Sequence, residues 1–71
     1  MEITAENVES VFASPVLKHE PHDKLSKQVT RDFIAIAQSV LYNVPASERR
    51  GDILGFLLDM KIDCVKLIME G

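Results

Sequence analysis

The side chains able to do chemistry in this sequence fall into a few small groups. His19 and His22 flank Glu20 and carry metal-ligand atoms, but a zinc site needs three or four ligands that converge. The stretch from Pro15 to Pro21 is broken by proline and supplies no further ligand at a recognised spacing, so the histidines read as exposed loop residues and no metal is expected. Cys64, the single cysteine, would need an adjacent base and an electropositive setting to act as a nucleophile. It stands at helical spacing from Met60, Leu67 and Ile68, where a free cysteine behaves as a small hydrophobe of the core. Asp52, Asp59, Asp63 and Glu70 share one narrow strip of a helix, which suits a solvated face better than paired acid–base groups in a pocket. No glycine-rich phosphate loop, Ser-His-Asp set or zinc pattern occurs. The chain is therefore expected to be a binder and not an enzyme, with no cofactor.

The cations are more suggestive. Lys18, Lys24, Lys27 and Arg31 run along a connector and the start of a long helix, and Glu48-Arg49-Arg50 open a second helix. Basic side chains near a helix N-terminus, where free N–H groups point outward, suit a phosphate; the competing reading is ordinary surface charge. Phe12 and Tyr42 are the aromatics able to stack on a base, although Phe12 suits equally well a role pinning the first segment to the rest. The net charge of −3 argues against a DNA or RNA polymer as partner, since such binding relies on many phosphates neutralised by Lys and Arg. A small anionic ligand held by a few local cations stays open.

The elements that must position these groups are helical, and the fold class is all-α. The 71 residues suffice for a single domain, 1–71, divided into an N-terminal short helix and connector over 1–22 and a hairpin over 23–71. Thr4 to Phe12 reads as a short helix capped by Thr4, ended by Ser14-Pro15 and followed by an extended connector to Pro21. From Asp23, taken as N-cap, apolar residues recur at Leu25, Val29, Phe33, Ile36, Ala37, Val40, Leu41 and Val44, with Lys24, Lys27, Gln28, Arg31, Asp32, Gln38 and Ser39 opposite. Pro45 ends this helix and Ser47 caps the next, and so short a link predicts antiparallel neighbours.

The helix from Ser47 to about Met69 is apolar on two adjoining stripes. One is Ile53, Phe56, Leu57, Met60, Cys64, Leu67 and Ile68; the other is Leu54, Leu58, Ile62, Val65 and Met69. Together they span roughly 240° of the helix, against roughly 100° for an ordinary surface helix. The first helix covers one stripe, and the chain has no third long helix for the other. A chain this short also needs a disulfide, a metal or self-association to stabilise it, and the cysteine count removes the first. A symmetric homo-oligomer is the expected solution. Gly51 and Gly55 read as a tight helix crossing. No apolar run approaches the roughly 20 residues needed to span a bilayer, and the start lacks the pattern of a signal peptide. No membrane association and a cytoplasmic location are expected.

The hairpin resembles the phage-encoded cyclic-oligonucleotide sponges that counter CBASS and Thoeris immunity. The match is carried by Ala37, by the turn Asn43-Val44-Pro45-Ala46-Ser47, similar to the family's Asn-Cys-Pro-Asp-Ser link, and by Leu57, Cys64 and Ile68 at fitting distances from Pro45. It covers about two-thirds of the chain. Phe12 and Pro15 echo an aromatic and a proline placed before the family's first helix. The chain departs at Asp63, where many members have tryptophan, and at Met69-Glu70, where an arginine serves one of the family's ligand pockets. The resemblance implies a hexamer that sequesters cyclic di- or trinucleotide messengers without cleaving them, in the host cytoplasm. Carried onto this sequence, it implies Phe12 for base stacking, Lys24, Lys27 and Arg31 for phosphate, and Ser47 with Arg49 or Arg50 near the turn. The alternative is an interaction module, of the adaptor or regulatory kind, whose open apolar stripe docks on another protein's helix.

Overall fold

The computed structural model describes residues 2–71, and the described residues form helices and no strand. Helix α1 spans Val8–Phe12, α2 spans Glu20–Asn43 and α3 spans Glu48–Glu70. The short helix expected from Thr4 begins only at Val8, with Asn7 at the cap position, and Thr4 instead organises the turn before it. The Thr4 N–H donates to Asn7 Oδ1 at 2.7 Å, the Asn7 N–H lies 3.3 Å from Thr4 Oγ1, and the Thr4 carbonyl accepts from the Val8 N–H at 2.9 Å. These side chains satisfy backbone groups that a lone turn would leave to water.

Helix α2 begins at Glu20, before the expected Asp23 cap. Pro21 sits in the first turn, where its missing N–H breaks no intrahelical bond, so the proline belongs to the helix and not to the connector. Asp23 is thereby freed from capping. Its carboxylate instead accepts from the Leu17 N–H at 3.0 Å and from Lys27 Nζ at 2.9 Å, tying the connector to α2.

At the other end of α2 the chain turns at Val44-Pro45-Ala46, and Ser47 caps α3 by accepting the Arg50 N–H at 3.1 Å. Ser47→Ala is expected to cost about 1 kcal/mol. In a domain of this size that corresponds to a fall of roughly 4–8 °C in melting temperature, readable by circular dichroism. The guanidinium of Arg50 donates to the Val44 carbonyl at 3.0 Å and lies 3.4 Å from that of Leu41, engaging carbonyls left free where α2 ends. At the opposite end of the pair, His22 Nε2 lies 3.2 Å from the Gly71 carbonyl oxygen.

The core is small. Val8 and Phe12 from α1, Ala37 from α2, and Leu54 and Leu57 from α3 are buried together. The buried line of α2 runs Ser26, Thr30, Ala37, one helical row away from Leu25 and Ile36, which are about half exposed. Small side chains on that row let the helices approach, while the larger apolar residues stand to one side. On α3 the buried line is Leu54, Leu57, Lys61, Val65, along the seam between the two apolar stripes. Phe56 and Leu67 consequently keep 64% and 66% of their surface, and Met60 keeps 49%. Both stripes are thus only partly covered within one chain, since Ile62 and Met69 remain open on the far side. The glycines correct one expectation: a Cβ at Gly51 or Gly55 would meet nothing within 4 Å, so neither marks a tight crossing inside the chain. No described helix is long and apolar enough to cross a membrane.

Candidate functional site

Burial of Phe12 fixes where the connector leaves α1. Ala13 is extended, and Ser14 then enters the space between the two long helices. Ser14 Oγ lies 3.0 Å from Thr30 Oγ1 of α2 and accepts from Lys61 Nζ of α3 at 3.0 Å. Three elements therefore meet in one polar chain, Lys61 to Ser14 to Thr30. Lys61 is only 5% exposed, because its register on α3 places it between Leu57 and Val65 on the buried line. Burial pulls its ammonium below the ordinary lysine pKa, since the charged form loses water. One turn before Thr30, the Ser26 hydroxyl is buried with no hydrogen-bond partner.

Next to this chain lies an open cavity of about 290 Å³, walled by Ser14 and Thr30 with Lys27, Arg31, Glu9, Ala13 and Ile34. Lys27 is paired with Asp23. The hydrogen bond from Lys27, and after it the one from the Leu17 N–H, holds the Asp23 carboxyl below the usual carboxylate range. Its folded pKa is depressed, so the stabilisation is present above the ordinary carboxylate pKa and is lost as pH falls through the folded value. Arg31 makes no ion pair among the described residues.

The residues expected to bind are divided by the fold. Lys27 and Arg31 meet at this cavity. Lys24 is exposed on α2 but does not line it. Ser47 and Arg50 share a different cavity of about 350 Å³ at the turn, where Glu2 and Glu48 bring negative charge. There the Ser47 hydroxyl and the Arg50 guanidinium already serve the ends of α3 and α2. Arg49 is exposed and lines neither cavity. Phe12 requires a correction: its ring is fully buried and offers no face to a base within this chain, so it pins α1 to the long helices instead. Of the two aromatics considered for stacking, Tyr42 is the exposed one, at 89% beside a cavity with Ala5, Gln38 and Leu41. The two histidine rings meet at a tilt of 59°, with centroids 4.1 Å apart, and no group of three or more metal-ligating side chains forms among the described residues.

Ser14, Thr30 and Lys61 were not singled out by spacing or charge. The signal was present for Lys61, which falls on the row Leu54, Leu57, Val65 that the helix buries. For Ser14 no local signal exists, because its neighbours are distant in sequence. Comparison with family models, curated proteins and solved structures gives no match for the chain.

Proposed function

We propose that this protein is a phage-type sponge, a homo-oligomer of antiparallel helical hairpins that binds cyclic di- or trinucleotides and withholds them from host immune effectors without cleaving them. The observation that carries the reading is the cavity lined together by Arg31, the Asp23-paired Lys27 and the hydroxyl-bearing Ser14 and Thr30. Cations and hydroxyl donors at one opening suit a phosphodiester, which offers anionic oxygens and no donor. Binding alone lowers the free messenger, so no reacting group is required. The open apolar rows of α3 support assembly, and assembly would repeat the cavity by symmetry. The turn at Pro45 and the small residues Ala37 and Cys64 support the sponge reading in particular, through the resemblance.

Calorimetry against a panel of cyclic di- and trinucleotides tests the proposal, with recovery of intact ligand after denaturation. Arg31→Glu is expected to weaken binding roughly tenfold or more, as loss of a charged hydrogen bond does, and to leave the melting temperature nearly unchanged because Arg31 is exposed. Absence of binding by the unmodified protein at micromolar concentration overturns the sponge. The second reading, an adaptor, draws on the same exposed Phe56 and Leu67. Light scattering of the isolated chain separates the two, since a sponge forms a defined homo-oligomer alone and an adaptor stays monomeric or aggregates until its partner is added.

A further inference from the structure

Lys61 is a buried cation without a counter-charge. No carboxylate lies within ion-pair distance of it among the described residues, and its ammonium spends one of three donors, on Ser14 Oγ. Removing a charge from water is costly unless it is paired, so a buried ammonium with unspent donors is poised to gain from an anion nearby. The hydroxyls in front of it have matching chemistry. Ser14 and Thr30 carry one hydroxyl hydrogen each, and their mutual contact consumes one of the two whichever acts as donor. The other hydrogen is left over, and both residues line the cavity beneath Arg31.

We propose that Ser14 and Thr30 form the floor of an oxyanion subsite in the cavity between α1, the connector and α2, taking one phosphate or phosphodiester group together with Arg31, while Lys61, which lines the neighbouring cavity that Ser14 shares, backs the floor through its bond to Ser14. This rests on the functional reading above only for the identity of the whole ligand. The floor itself requires only a tetrahedral oxyanion. Lys61 acts from behind the hydroxyls: it donates to Ser14 Oγ, polarises the pair toward donation, and adds a positive charge one hydroxyl away from the anion. Glu9, on the same wall, is exposed and negative, and Lys27 is largely spent on Asp23, so the positive balance comes from Arg31 and Lys61.

The test is calorimetric titration of the intact chain with inorganic phosphate and separately with a panel of cyclic di- and trinucleotides, for the unmodified protein, Lys61→Met and Thr30→Val. Lys61→Met keeps the length of the side chain and removes a buried unpaired charge, so its melting temperature is expected to hold or rise. Its phosphate affinity is expected to fall at least about tenfold, the scale of a lost charge-assisted interaction. Thr30→Val, similar in shape, leaves Lys61 in place and removes one of the two hydroxyls, with a fall of several-fold expected. Unchanged phosphate affinity in both variants overturns the subsite, as does absence of phosphate binding by the unmodified protein. Phosphate binding that depends on Lys61, with no cyclic dinucleotide or trinucleotide bound, leaves the subsite standing and removes the sponge. Cyclic nucleotide binding indifferent to both substitutions does the reverse.

Discussion

Phe12→Ala is expected to cost about 3–5 kcal/mol, the range for deleting a buried phenyl ring. A domain of this length holds roughly 4–10 kcal/mol in total, so the substitution removes about a third of it or more. The reason is specific to the position. Helix α1 has five residues, too few to be stable alone, and it contributes two side chains to the five-residue buried core, Val8 and Phe12. Removing the ring opens a cavity bounded by Ala37, Leu54 and Leu57, and releases α1 together with the connector that carries Ser14. Chemical denaturation followed by far-ultraviolet circular dichroism should show a much lower midpoint. Ligand affinity should also fall in whatever fraction remains folded, because Ser14 is no longer held against Thr30 and Lys61. An unchanged midpoint would mean that α1 is not anchored through this ring.

Phe56→Glu separates folding from assembly. The ring is 64% exposed in one chain, so the fold itself loses little, within about 0.5 kcal/mol for a surface position. Across a subunit interface the same site would bury an aromatic anchor, and such residues carry about 2 kcal/mol or more each. Self-association should therefore weaken about thirtyfold or more, and further because the introduced carboxylate would be desolvated. Sedimentation across a concentration series reads the effect: the variant dissociates at concentrations where the unmodified protein stays assembled, while its helical content is unchanged. If both sediment alike, the row Ile53, Phe56, Met60, Leu67 is not the assembling surface. A gain in helicity with no change in mass would likewise point away from assembly there.

The sequence by itself determined the helices and their ends. Apolar residues at threes and fours wrote α2 and α3, and Pro45 and Ser47 wrote the break between them. These are local matters, decided by 3.6-residue periodicity, by the missing N–H of proline and by a hydroxyl within reach of the next turn. The exceptions at the starts of α1 and α2 are local too: Thr4 and Asn7 both suit a cap, and a proline in the first turn is read equally well as connector or as helix.

Only the tertiary structure decided which row of each helix turns inward. Periodicity gives a face roughly a third to two-thirds of the circumference wide, but the contact between two helices selects a single line within it. On α3 that line ran along the seam of the two stripes and took Lys61 inside, leaving Phe56 and Leu67 out. On α2 it chose Ser26, Thr30 and Ala37 over Leu25 and Ile36, because small side chains allow backbones to approach where bulky ones hold them apart. Phe12 likewise served the core because α1 folds back onto both helices. The Lys61–Ser14–Thr30 contact joins residues 47 and 16 positions apart, and proximity at that range comes from packing, which no short stretch of sequence encodes.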